Sequence, residues 1–160
     1  MSQQDLIALA RERARAWKLS PELVCAVCEQ ETGDRCPDPA TGQEKWDPWA
    51  IRYENAFYQR YVLPLLNSGE LKDVTEARAR GFSWGLMQVM GQTARESGFA
   101  GHMAQLCDPA VGLETGCRVL AKKLAEAEGD IVRGLLFWNG GSDNKYPASV
   151  LARMAKYATG

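Results

Sequence analysis

Histidine is almost missing from this chain: His102 is the only one among 160 residues. It stands in Gly101-His102-Met103 with no partner motif, which leaves a cysteine-nucleophile amidase without a positioned base. Net charge is nearly absent too. The 19 basic and 20 acidic side chains sum to −1, so no global field draws the chain to nucleic acid or an anionic membrane, and neither partner is expected. No apolar run approaches the length of a bilayer span. The segment from Met1 to Ile7 lacks the basic stretch, apolar core and small-residue cleavage site of a secretory signal. Synthesis in the cytoplasm, without export by the ordinary route, is therefore the expectation. Cysteines are present but odd in number, at Cys25, Cys28, Cys36, Cys107 and Cys117. At least one stays unpaired in a monomer, so a reducing compartment fits and a disulfide framework is not expected.

What is present is the balance of a globular protein, 46% hydrophobic and 24% charged residues. A chain of this length buries about two-thirds of its unfolded surface. A single domain over residues 1–160 with one core is expected, acting as a monomer without a cofactor.

The pattern is mainly α. Residues 4–17 place Leu6, Ile7, Leu9, Ala10, Ala14 and Trp17 at helical spacing, with arginines on the other face. Ser20-Pro21-Glu22 then supplies an N-cap, a first-turn proline and an acid at the positive helix end. The helix that follows is apolar almost all round from Leu23 to Cys28, which makes it central, and Gly33 is placed to stop it. Residues 34–49 read as a surface loop and Ala50 to Leu66 as a helix. Further helices are expected over 72–80, Gln92 to Ser97, Pro109 to Ala127 with Asp108 as cap, Asp130 to Trp138, and Pro147 to Tyr157. The exception is Leu86 to Met90, a short strand or hairpin arm.

Glu31 falls in the last turn of the apolar second helix. A carboxyl group held there and turned into a cleft is partly desolvated, the condition that lets an acid stay protonated near neutral pH and donate to a leaving glycosidic oxygen. A glutamate at a helix end is more commonly solvated surface, so the helix alone does not assign it. Cys25-x-x-Cys28 with Cys36, Cys107 and His102 makes a zinc set on paper, but two of these lie inside an apolar helix, where small thiols pack, and the rest lack tight spacing. No metal site is expected.

Three ordered segments decide the reading of Glu31. They are Gln30-Glu31-Thr32, then Ser83-Trp84-Gly85-Leu86-Met87-Gln88-Val89-Met90 with Thr93-Ala94, then Phe137-Trp138-Asn139-Gly140-Gly141. Together they resemble the glutamate, Gly-Leu-Met-Gln and Ala-Tyr-Asn motifs of lytic transglycosylases related to goose-type lysozyme. The resemblance spans about residues 20–145 and implies a lysozyme-like domain with a short β-hairpin near the cleft. It implies a glycosidase of cell-wall degradation, cutting the β-1,4 bond between N-acetylmuramic acid and N-acetylglucosamine in peptidoglycan glycan strands. Glu31 would act as acid and then base, closing a 1,6-anhydro ring. Hydrolytic relatives, true muramidases, keep the same glutamate and admit water. A glycan-binding virion domain that has lost activity is the non-enzymatic alternative.

Carried onto this chain, the resemblance places Ser83, Gly85, Leu86, Met87 and Gln88 beside the sugar. Gly85 would admit a sugar against the backbone, and Gln88 would offer it a donor and an acceptor. For Leu86 and Met87 core packing is the commoner role, and Met87 could also line the sugar site as an adaptable apolar wall. Asn139 would hold a substrate acetamido group or a neighbouring loop. There are three departures from the family pattern. Thr32 replaces a serine. Trp138 replaces the tyrosine whose hydroxyl bonds the acid, leaving Tyr146 or Tyr53 to supply it. The stretch between Glu31 and Gly85 is longer than in compact members and rich in aromatics, from Trp46 and Trp49 to Phe57, Tyr58 and Tyr61. Within it, Arg52-Tyr53-Glu54 followed by Phe57-Tyr58 resembles a segment of phage-borne cell-wall hydrolases, which points to a bacteriophage endolysin or virion enzyme. Glu54 is either a second carboxylate that positions water or the ion-pair partner of Arg52 or Arg60. Asp47 is a further candidate for the water-positioning role.

Overall fold

The computed structural model describes residues 1–158. Helix α1 covers Gln3–Ala16 and α2 covers Pro21–Thr32. The α2 N-cap forms as its sequence dictates, with Ser20 Oγ accepting from Leu23 N at 3.1 Å. Leu23, Val24, Cys25, Ala26, Val27 and Cys28 are all buried to 1% exposure or less, which makes α2 the axis of the core. Small residues let its neighbours approach closely, Ala10 and Ala14 on α1 being fully buried as well. Gly33 ends the helix in an extended rather than left-handed conformation. Its lack of a side chain matters for space, because a Cβ there would lie 2.5 Å from the Glu29 carbonyl and 2.3 Å from Glu44 Oε2.

The stretch after the loop departs from the expected helix beginning at Ala50. Ile51–Tyr53 is a strand, β1, and only then do α3 (Asn55–Phe57), a π-helical turn (Tyr58–Val62) and α4 (Leu63–Asn67) follow. Strand pairing across the fold overrides the local pattern at β1. Pro64 has no N–H to offer the carbonyl of Arg60, which accounts for the widened turn before it. Helix α5 spans Val74–Arg80.

A three-stranded antiparallel sheet follows from β1, β2 (Phe82–Trp84) and β3 (Val89–Met90), in that order. Arg52 pairs with Ser83 and Ser83 with Met90, so these three form one cross-strand row. The short strand or hairpin arm expected over Leu86 to Met90 is present in its second part, where Val89 and Met90 pair with β2, while Gly85 to Gln88 is the turn that precedes it. Helix α6 is Gly91–Glu96, α7 Pro109–Glu126, α8 Ile131–Trp138 and α9 Tyr146–Met154, with a 3₁₀ turn over Ala155–Tyr157. Asp108 caps α7 and Asp130 caps α8 through their side chains.

The main core gathers α1, α2, α7, α8 and α9 with the hairpin turn, and a smaller cluster of Val62, Leu71 and Ala77 sits under the segment that follows β1. One core was expected, and the satellite arises because a long insert must cover its own apolar face. Among the described residues, no helix is long and apolar enough to cross a membrane.

Candidate active site

An open cleft of about 810 Å³ lies where the end of α2, the end of α8, the start of α9 and the sheet converge. Glu31, Glu54, Trp138 and Tyr146 all line it. Glu31 is placed there by the register of α2, whose apolar faces bury Val27 and Cys28 and leave the last turn at the cleft edge.

One carboxyl oxygen of Glu31 is anchored. Its Oε1 accepts from the Tyr146 hydroxyl at 2.5 Å and from Trp138 Nε1 at 3.5 Å, the latter at the outer limit of a hydrogen bond. Among the described residues, Oε2 has no protein donor. Burial raises the Glu31 carboxyl above its ordinary range. The Tyr146 hydroxyl, the Trp138 N–H and then the charge of Arg52 pull it back, while Glu54 adds a smaller push upward. Desolvation dominates, so the acid is held towards its protonated form. Burial, reinforced by Glu31, also raises Tyr146, which keeps its hydroxyl a donor.

Of the two tyrosines considered for that hydroxyl, the one at the start of α9 provides it. Tyr53 packs instead against Phe82 and Tyr58, with ring centroids 5.0 Å and 5.9 Å away. Glu54 forms its ion pair with Arg52, and both line the cleft. Asp47 is exposed and outside the cleft, its Oδ1 accepting from Trp49 N at 2.9 Å.

The hairpin motif divides between cleft and core, with Ser83 and Gln88 at the cleft and Leu86 and Met87 in the core. Gly85 has φ +66°, and a Cβ there would lie 2.2 Å from the Leu106 carbonyl oxygen. The close approach is to the protein's own backbone, not to a sugar. Leu86 and Met87 are each 1% exposed and belong to the core. Met87 lies against Gly116 of α7, where a Cβ would meet its sulfur at 2.4 Å. Gln88 lines the cleft, but its amide is committed: Nε2 donates to the carbonyls of Ala50 and Gly85, both at 2.9 Å, and Oε1 accepts from Ser83 Oγ at 2.8 Å. That network holds Gln88 in the left-handed region at φ 47°, so the residue builds the cleft floor. Asn139 likewise spends both ends of its amide on its own loop, donating to the Asp143 carbonyl and accepting from Gly141 N. Thr32 donates to the Cys28 carbonyl at 3.0 Å, a tether within α2.

The aromatic insert divides. Phe57 and Tyr61 line the cleft, 4.8 Å apart between ring centroids, with the Arg60 guanidinium 5.2 Å from the Tyr61 centroid. Trp46 is buried, and Trp49 stands exposed at a separate cavity of about 360 Å³. Cys25 and Cys117 lie in the core with their thiols pushed up to about 12 by burial, and burial raises Cys28 as well. Neutral buried thiols are neither ligands nor nucleophiles. Among the described residues, no group of three or more His, Cys, Asp and Glu is placed to hold a metal.

Sequence reasoning missed the cleft role of Arg35 and the links from α9 to α2. Ser149 Oγ donates to Gln30 Oε1 at 2.6 Å, and Glu29, fully buried, pairs with Lys156 at 2.5 Å. The signal was there in the polar spacing of Tyr146, Ser149 and Arg153 along one helical face. Comparisons with family models, curated proteins and solved structures return no match.

Proposed function

We propose that this chain is a lysozyme-like enzyme that cuts peptidoglycan glycan strands between N-acetylmuramic acid and N-acetylglucosamine as a lytic transglycosylase, with Glu31 as acid and base. The observation that carries the reading is the anchored carboxyl. Glu31 is desolvated, opens on the cleft of about 810 Å³, and has one oxygen tied to Tyr146 while the other has no donor among the described residues. That is the arrangement general acid catalysis of glycoside cleavage requires. The ordered resemblance of the three motif segments supplies the substrate class.

In the first step Oε2 delivers its proton to the glycosidic oxygen as the bond from the muramic C1 breaks. The new carboxylate is stabilised by the Tyr146 hydroxyl and, more weakly, by Trp138. In the second step the carboxylate takes the proton of the muramic 6-hydroxyl while O6 bonds to C1, which restores the acid and closes the 1,6-anhydro ring. Phe57 and Tyr61 give the strand an apolar face to lie on. The charged partner Arg52 keeps Glu54 oriented at the wall.

Glu54 favours a second reading. It lines the same cleft and its charge acts on Glu31, and it would let the enzyme position water and hydrolyse the same bond. Mass spectrometry of fragments from purified peptidoglycan separates the cases. Anhydro-muramyl ends are the expected result; reducing muramyl ends indicate hydrolysis, and no soluble fragments indicate a binding domain of a virion or lysin and overturn the enzymatic reading. As a phage-type enzyme made in the cytoplasm, the protein would reach the wall through a lysis pore or a virion.

A further inference from the structure

A helix ends with its last four carbonyls unpaired inside the helix, and such turns open easily. An acid placed in that turn has a fixed azimuth only when something outside the helix holds it. In α2 the final turn contains Glu29, Gln30 and Glu31, and each of the three is gripped by a different level of one partner surface.

Tyr146 bonds Glu31, Ser149 bonds Gln30 at 2.6 Å, and Lys156 pairs with Glu29 at 2.5 Å. Arg153 reinforces two of these, donating to Ser149 Oγ at 2.8 Å and standing 3.6 Å from Glu29 Oε1. The Tyr157 hydroxyl also donates to Glu29. The 3₁₀ turn that carries Lys156 and Tyr157 is fixed in its turn. Arg11 donates to the Tyr157 carbonyl at 2.9 Å, Gln43 to the Lys156 carbonyl at 3.2 Å, and Trp46 to the Tyr157 hydroxyl at 3.2 Å.

We propose that Ser149, Arg153, Lys156 and Tyr157 form a positioning element for Glu31, holding the last turn of α2 through Gln30 and Glu29 in the one rotation that presents the acid to the cleft. None of the four is placed to touch the reacting atoms; they act through the helix end. The inference rests on the reading of Glu31 as the acid, and it locates part of the catalytic machinery at the far end of the sequence. A slip of α9 along α2 breaks all three levels together, so the register is set cooperatively.

The test is a carbon-13 titration of the Glu31 carboxyl in the full chain, run beside kcat and KM on purified peptidoglycan, for wild type, Ser149→Ala, Ser149→Thr and Lys156→Met. Ser149→Ala loses one hydroxyl and keeps the test open where Lys156→Met fails to fold. Loosening the turn admits water to the carboxyl, so the Glu31 midpoint falls towards its ordinary value, kcat drops roughly tenfold with KM unchanged, and Ser149→Thr restores both. A purely structural role lowers melting while leaving the Glu31 midpoint and kcat in place, and that result overturns the inference. A wild-type chain that releases no fragments while the variants still move the Glu31 midpoint overturns the functional reading and supports the positioning role.

Discussion

Replacing Tyr146 by phenylalanine removes one oxygen and keeps the ring that fills the start of α9. Among the described residues, Glu31 Oε1 is left with Trp138 Nε1 at 3.5 Å as its donor. A hydrogen bond to a charged group contributes about 1.5–3 kcal/mol, against about 0.5–1.5 kcal/mol for a neutral pair. Tyr146→Phe therefore costs the ionised acid more than the protonated one. The hydroxyl lowers the Glu31 carboxyl while burial raises it, so its removal moves the carboxyl further up. The alkaline limb of kcat/KM, which reports the free enzyme's acid, shifts to higher pH.

At the optimum, turnover falls roughly tenfold to a hundredfold, because the same 1.5–3 kcal/mol is lost from the carboxylate that forms as the proton leaves. Melting must show the same asymmetry. For a domain of this size about 1 kcal/mol corresponds to roughly 2–4 °C, so the loss is several degrees above the Glu31 midpoint and smaller in acid, where the carboxyl is protonated in both proteins. The assays are solubilisation of purified peptidoglycan across pH and calorimetry over the same range. An alkaline limb that stays put or moves down, or a melting loss equal at every pH, refutes the role assigned to Tyr146.

Glu31→Gln keeps an acceptor for Tyr146 but has no proton to give, so turnover falls roughly 10²-fold or more with KM retained, read from fragment release. The same variant gains stability at neutral pH. Because the folded carboxyl lies above its unfolded value, the wild type loses stability as pH rises from the unfolded to the folded midpoint, and denaturation at low pH should show the advantage vanish. Glu54→Gln should leave stability within about 0.5 kcal/mol, since its pair with Arg52 is solvent-exposed; loss of reducing muramyl ends in the mass spectrum would mark Glu54 as the residue that positions water. Gly85→Ala combines a left-handed backbone with a contact of 2.2 Å to the Leu106 carbonyl and should lose about 2–5 kcal/mol in urea unfolding; a loss under about 1 kcal/mol would mean the hairpin turn gives way easily.

Features that depend on neighbours in sequence were readable without coordinates. The apolar run from Leu23 to Cys28, the Ser20 cap and the proline at the start of α2 defined the central helix and put Glu31 in its last turn. Features set by distant partners were not. β1 is a strand because Ser83 and Trp84 pair with it from across the insert. Glu29 is buried because Lys156, 127 positions downstream, neutralises it, and α2's own pattern does not distinguish it from a surface acid. Gln88 and Asn139 show a subtler case: of the two roles left open for Asn139 the structure shows the loop one, and Gln88 holds the hairpin turn where a sugar contact was expected. Their side chains have the donors and acceptors a sugar needs, but those groups are already committed to neighbouring backbone and, for Gln88 Oε1, to the Ser83 hydroxyl. A polar residue in a motif can thus serve the ligand's site by building it.

If Glu31 is the acid, its two oxygens are not equivalent. Tyr146 and Trp138 both donate to Oε1, and a donor on that oxygen disfavours placing the proton there. The proton therefore belongs on Oε2, which no group among the described residues holds. One oxygen that first gives a proton and then stands bare beside the departing sugar is suited to collect the next one from whatever hydroxyl is nearest. In a cleft where Glu54 is occupied by Arg52, that hydroxyl is the substrate's own unless Glu54 is freed to hold a water. On the proposed function, anhydro-ring closure against hydrolysis would be decided by how firmly Arg52 keeps Glu54, so Arg52→Ala should raise the share of reducing ends, and a product mixture that does not change would place the choice elsewhere.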